Sequence, residues 1–226
     1  MTSVSASLPP GVPPSQPPPP FPAILLQQAF PGLVPQPPMT LSSSVVIRYF
    51  AGVNAATASQ LMQALDNCVR QGVTDVRLLI STQGGLVHEG ISLYNFIRGI
   101  KAKVNVVTHN FGSVDSIGVV LFAAGQTRRS VPQARFLVHR VANTITATGQ
   151  LVMGEDQLMQ TLKSLQADQQ NIARIIAANS NRSVSQVLAT MKAQPTLFPD
   201  ELKKWGLVHE IADIDFPPGA DLLTIQ

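Results

Sequence analysis

Cysteine is nearly absent. Cys68 is the only one in 226 residues, so no intrachain disulfide can form and no cysteine-based zinc set exists. It falls on the apolar stripe of an expected helix, with no histidine or glycine-rich turn beside it, and reads as a buried, inert thiol. Charge is scarce too: Asp, Glu, Lys and Arg make up 13% of the chain, and the net charge is +3. No Lys/Arg-rich run interrupts it, which argues against a nucleic-acid surface. No stretch approaches the roughly 20 apolar residues that cross a bilayer. The N-terminal region also lacks the basic segment of a secretory signal and the arginines of a transit peptide, the first charged residue being Arg48. A cytoplasmic chain without membrane contact is the expectation.

Apolar residues are plentiful, at 45%, enough to bury one α/β core. Composition changes near residue 40. Residues 1–40 hold most of the 18 prolines and no charged side chain. Runs such as Pro17-Pro18-Pro19-Pro20 favour polyproline II, so a proline-rich disordered tail is expected there. Residues 41–226 form the expected domain.

Within that domain strands alternate with helices. Val45 to Phe50 is β-branched and aromatic, hence a strand. Thr57 and Gln60 match a capping box, followed by Leu61, Leu65, Cys68 and Val69 at helical spacing. Strands follow at Val76–Ile80, Val104–Thr108 and Arg135–Val138. A helix is expected through Ile91, Tyr94, Ile97 and Ile100, and another from Ser116 to Ala124, stopped by Gly125. Thr148 to Asn179 reads as one long helix whose apolar positions exceed what this domain can cover. A helix near Ser183–Met191, a short one ending at Trp205-Gly206, and a strand at Leu207-Val208 complete the pattern. Repeated strand–helix–strand units imply a largely parallel sheet.

Three features bear on chemistry. Gln83-Gly84-Gly85 follows a strand, and a glycine pair there exposes backbone amides suited to an oxyanion or a phosphate. The nucleotide-binding glycine spacings are missing. Next, Ser116 in Gly112-Ser113-Val114-Asp115-Ser116-Ile117-Gly118 lies between a strand and an apolar helix. A serine there is either an N-cap or a nucleophile held at a helix N-terminus, and Ser113 or Asp115 could equally be the cap. Third, His139 ends the strand Arg135-Phe136-Leu137-Val138, at a sheet edge where catalytic groups gather. His109 is its main rival as a base, while His88 and His209 lie among charged residues. No histidine pair has metal-ligand spacing, so neither a metal nor a cofactor is expected.

These three motifs, in this order, resemble the proteolytic subunit of Clp protease (ClpP), whose motifs read approximately S-P-G-G, G-x-A-A-S-M-G and R-x-M-I-H. Phe122-Ala123-Ala124-Gly125 and Trp205-Gly206-Leu207-Val208 also fall in family order, and the likeness spans about Ser43 to Ile211. The resemblance implies a ClpP/crotonase-like spiral of βαβ units with a long protruding oligomerisation helix. It implies a serine endopeptidase with Ser116 as nucleophile, His139 as general base, and the amides of Gly85 and Ile117 as the oxyanion hole. It further implies peptide or unfolded-protein substrates, stacked homo-oligomeric heptameric rings, and an open place for an AAA+ unfoldase.

The chain departs from the family at three points. Gln83 replaces the proline. Asp115 replaces the alanine before the serine, which would set a carboxylate beside the nucleophile. Ungapped alignment on Gly206-Leu207-Val208 places Gln194 where the family has its triad aspartate, with Asp200 the nearest carboxylate downstream. Two rival functions therefore stand: a catalytically impaired ClpP-like structural ring subunit, and an acyl hydrolase or crotonase-type enzyme on the same fold.

Overall fold

A computed structural model of the chain describes residues 41–142 and 153–226. The expected tail and the start of the expected long helix, at 148–152, lie outside them. Eight strands build one sheet: β1 (Ser44–Phe50), β2 (Asp75–Thr82), β3 (Asn105–Asp115), β4 (Thr127–Ser130), β5 (Arg135–Leu137), β6 (Thr196–Leu197), β7 (Glu210–Ile211) and β8 (Asp221–Ile225). The main path runs β6-β5-β3-β2-β1-β8, with β4 on β3 and β7 on β4. Every pairing is parallel except β5 with β6. Among the described residues six helices connect them: α1 (Ala55–Arg70), α2 (Val87–Ile100), α3 (Gly118–Ala123), α4 (Glu155–Ala178), α5 (Val184–Ala193) and α6 (Pro199–Lys204).

The core lies between the helices and one face of the sheet. Val45, Ile47 and Tyr49 alternate inward from β1, as a half-buried strand requires. They meet Leu61, Leu65 and Cys68 of α1 and Leu93 and Ile97 of α2, while all six residues of α3 are buried. Burial pushes the Cys68 thiol up to about 11, in keeping with an inert side chain. The helix cap differs in detail from the sequence expectation. Asn54 caps α1, accepting from the amides of Ala56 and Thr57, and Thr57 Oγ1 accepts from the Asn54 amide at 3.1 Å. Thr57 is thus the third helical residue of the box, and Gln60 stays exposed.

β3 is longer than its composition suggests. Its first half, Val107–Asn110, pairs with β4, and its last three residues pair with β5. A register shift opposite Ile80–Thr82 lets the strand bend between the two partners. Gly112 sits at this bend because a Cβ there would come 2.9 Å from Ser81 Oγ. The Gly-Ser-Val-Asp stretch therefore belongs to the strand. Gly125 does not end α3 through a left-handed turn: a Cβ there would lie 2.4 Å from Thr108 Oγ1, so close packing on β3 demands the glycine.

Two strands came without an apolar signature. β4 reads Thr-Arg-Arg-Ser, and its Arg128 is buried by donating to the carbonyls of Leu207, Gly206, Gly125 and Asn179. Leu207 and Val208 are buried, but the pairing falls at Glu210–Ile211, opposite Arg129 and Ser130. On the sheet face away from the helices, Arg77 pairs with Asp215 and Arg129 with Glu210 at 2.7 Å. Among the described residues no helix is long and apolar enough to cross a membrane, and no cluster of metal-ligating side chains occurs.

His109 lies 2% exposed within that charged group, with Nε2 3.1 Å from the Ala212 carbonyl. Because a carbonyl only accepts, Nε2 carries the proton. Burial, with Arg129 and Arg77 nearby, holds this imidazole below its ordinary range despite the opposing hydrogen bond and Glu210. The unfolded chain then takes up a proton near pH ~6.5 that the folded chain refuses. Stability from this residue is complete above that pH and is lost as pH falls toward the folded value, at up to about 1.4 kcal/mol per pH unit. Melting between pH 7.5 and 5.5 should show a falling Tm, and His109→Gln, which keeps a donor for Ala212, should flatten it.

Candidate active site

Ser116 occupies the turn between β3 and α3. Its φ is +59°, in the left-handed region that a residue with a Cβ enters at a cost of about 1–3 kcal/mol. Two hydrogen bonds hold it: the Ser116 amide donates to Leu137 O at 2.8 Å, and Val119 N–H donates to Ser116 O at 3.1 Å. A strained strand-to-helix turn of this kind lifts a hydroxyl out of the backbone toward an open site. Ser116 is partly buried, and no capping bond from a side chain precedes α3, so the plain N-cap role does not describe it.

The glycine pair comes in from β2. Gly84 has φ +86°, and a Cβ there would sit 2.5 Å from Ser116 Cβ and 2.8 Å from Asp115 O. Gly85 bridges to Val53, where a Cβ would come 2.1 Å from the Val53 carbonyl. That bridge uses Gly84 O and Leu86 N–H, each at 2.8 Å from its Val53 partner. Strand geometry turns the Gly85 amide to the opposite side. Among the described residues neither the Gly85 nor the Ile117 amide meets an acceptor.

Both residues line one pocket of about 280 Å³ with Gln83, Ser116 and His139, its apolar floor including Ile172 and Ile176 of α4. His139 lies two residues past the end of β5 and is half-buried. Its Nδ1 lies 2.6 Å from the Arg140 carbonyl. A carbonyl can only accept, so Nδ1 carries the proton and the neutral ring keeps its lone pair on Nε2, the tautomer a general base needs. No hydrogen bond joins Ser116 Oγ to His139 among the described residues.

The other candidates sit elsewhere. Gln194 is exposed at the C-terminus of α5, at φ +52°, its amide donating to Thr190 O. Asp200 is exposed in the first turn of α6. Neither lines the pocket, and Arg140 O occupies the Nδ1 position instead. His109 lies in the charged group of the opposite sheet face, outside the pocket. Asp115 is also placed differently from the expectation of a carboxylate beside the nucleophile. It accepts from Ser113 Oγ at 2.7 Å and from Arg135 Nη2 at 2.9 Å, and is not among the pocket residues. Sequence reading missed the Leu137 and Arg140 carbonyls, since backbone acceptors leave no trace in residue type.

The Gly84–Ser116 contact yields a sharp expectation. Gly84→Ala forces a methyl group against the Ser116 turn and places alanine at a positive φ. It should cost about 1–3 kcal/mol in folding and displace the turn. Chemical denaturation would measure the first effect, and the rate of fluorophosphonate labelling at Ser116 the second.

The family model described as Clp protease matches residues 38–215. The chain is 27% identical over 160 residues to the ATP-dependent Clp protease proteolytic subunit of Lactococcus lactis subsp. lactis, covering 69% of this chain and 76% of that protein. It is 25% identical over 162 residues to the protein of the same name from Bdellovibrio bacteriovorus, covering 71% and 72%. Among solved structures, ClpP1 from Listeria monocytogenes superposes with a TM-score of 0.63 at 23% identity, covering 76% of this chain and 92% of that one. A mutant of the same ClpP1 gives 0.65. The mixed α/β fold is therefore that of ClpP, and with the family match extending over most of its length, the chain belongs to the Clp protease family.

Proposed function

We propose that this chain is a serine endopeptidase in which Ser116 attacks the peptide carbonyl and His139 serves as general base. The observation that carries the proposal is the shared pocket: a serine on a strained turn, a histidine whose Nδ1 is held by a carbonyl, and two amides that meet no acceptor among the described residues. Ser116 Oγ bonds to the carbonyl carbon as its proton passes to His139 Nε2. The Gly85 and Ile117 amides donate to the oxyanion. Collapse of the tetrahedral adduct breaks the C–N bond, and His139 protonates the leaving amine. Water then releases the acyl group by the same steps in reverse order.

In place of a triad carboxylate we assign the Arg140 carbonyl, which holds the ring in its tautomer but supplies only a dipole to the imidazolium. Losing the full charge of a triad acid costs roughly four orders of magnitude in serine proteases where it has been removed. Among the described residues no carboxylate lines the pocket, which favours one rival, an impaired subunit that mainly builds the ring. A fluorophosphonate separates the two. Covalent labelling that disappears in Ser116→Ala supports the peptidase; folded, assembled protein that takes no label at Ser116 makes the chain a structural subunit.

The proposal includes assembly into homo-oligomeric rings, with unfolded proteins as substrates and an AAA+ unfoldase as partner. α4 supports the assembly. Only Ile172, Ala173 and Ile176 near its C-terminus are buried, while Leu158 is 54% exposed and Met159 and Leu162 are 48% exposed. An apolar stripe of this kind on a 24-residue helix is suited to a second copy of itself. Leu158→Glu with Leu162→Glu should lower the sedimentation coefficient to that of a smaller assembly, without reducing the helical circular dichroism signal.

A further inference from the structure

β5 is a weak support for a reacting histidine. It has three residues, it pairs with only the last three of β3, and its other neighbour, β6, has two. Strand pairing this short does not fix a side chain to the tolerance that proton transfer demands. Further bonds reinforce it. Asn110 Nδ2 donates to Arg135 O at 2.9 Å, at the start of β5. The Ser116 amide donates to Leu137 O at its end. Between them lies the ion pair of Arg135 with Asp115.

That pair has an unusual placement. The Asp115 side chain is 7% exposed, and a carboxylate so enclosed is costly unless its oxygens are satisfied. Here both are: Ser113 donates to Oδ1 and Arg135 to Oδ2. The two partners belong to adjacent strands, and each adjoins a proposed catalytic element. Asp115 directly precedes Ser116, and Arg135 opens the strand that leads to His139. Arg135 itself is 47% exposed, so its other donors can be hydrated.

We propose that Asp115 and Arg135 are positioning residues, an ionic clamp that holds the His139 strand against the Ser116 turn. The inference rests on the Ser116–His139 reading of the site. It also explains why a carboxylate next to the nucleophile is tolerated: its charge is spent on Arg135, on the side away from the pocket. Loosening the clamp lets β5 move relative to β3. A misplacement of about 1 Å between reacting groups reduces rates by about 10²-fold.

The test is the second-order rate of fluorophosphonate labelling of the full chain across pH 5 to 9. Wild type should rise with pH and reach a plateau, as general-base catalysis requires. Asp115→Ala should lower the rate at the pH of the wild-type plateau by about 10²-fold and replace the plateau with a rate that keeps rising with hydroxide, as for a serine without its base. Asp115→Asn keeps one neutral acceptor, for Arg135, while its amide NH2 can donate to Ser113 Oγ, and should fall about tenfold; Arg135→Lys, which keeps the cation, should stay within about threefold of wild type. A general loss of fold would lower the amount of labelled protein without changing the shape of the pH profile. Should Asp115→Ala not fold, Asp115→Asn decides. Folded Asp115 variants that keep both the plateau and its midpoint overturn the clamp and leave the peptidase reading intact. Labelling that persists in Ser116→Ala, or wild type without Ser116 labelling, overturns that reading and the clamp with it.

Discussion

An ideal Cβ at Gly84 would lie 2.5 Å from the Cβ of Ser116, so the turns that end β2 and β3 can meet only with glycine at position 84. This contact sets the rest of the site. With Gly84 at φ +86°, the next residue is carried into its bridge with Val53, and the Gly85 amide is left facing the pocket. With Ser116 pressed into the left-handed region, its amide reaches back to Leu137 and its hydroxyl is raised out of the strand line. A side chain at Gly84 would separate the two turns, and one at Gly85 would clash with the Val53 carbonyl. Strain at Ser116 is therefore maintained by packing on both sides, which is how sparsely populated backbone persists at functional sites.

The sheet makes this contact possible because β3 serves two partners in succession. Its first half pairs with β4 and its second with β5, so β4 and β5 both belong to the sheet through the same strand. The bend between them is taken up at Gly112, opposite Ser81. One consequence is that charged residues can occupy the open sheet face, where Arg77, Arg129, Glu210 and Asp215 offset one another. Another is that the His139 strand depends on few ladder bonds, which raises the importance of the side-chain bonds around it.

Much of this was legible in the residues, for identifiable reasons. Val45 to Phe50, Val76 to Ile80 and the Leu61–Leu65–Cys68 spacing gave the early βαβ order, because burial on one face imposes a period. The glycine pair and Ser116 stood out because steric demand restricts residue type. What escaped notice is what periodicity does not encode. Thr127–Ser130 is a strand on account of its position, with Arg128 buried on carbonyls from four different segments. Gly112 to Asp115 fell beyond the expected strand, which ended at Thr108; glycine and aspartate are poor strand formers, and tertiary pairing overrides that preference. Asp115 seemed a hindrance to Ser116 because its partner, Arg135, is distant in sequence and adjacent only across the sheet.

Carboxylate charge is arranged here in a way that separates two tasks. In a triad, one acid both orients the imidazole and offsets its positive charge. In this chain the Nδ1 proton goes to the Arg140 carbonyl, which orients the ring through a dipole. The buried carboxylate nearest the proposed nucleophile, Asp115, is neutralised by Arg135 and acts on the backbone of two strands. His139 is half-buried, and among the described residues no carboxylate lines its pocket. In such a site positioning and oxyanion binding would supply most of the rate, and charge stabilisation of the base little. Its turnover should then be sensitive to the spacing of β3 and β5 and comparatively indifferent to the carboxylates outside the pocket, Asp200 included.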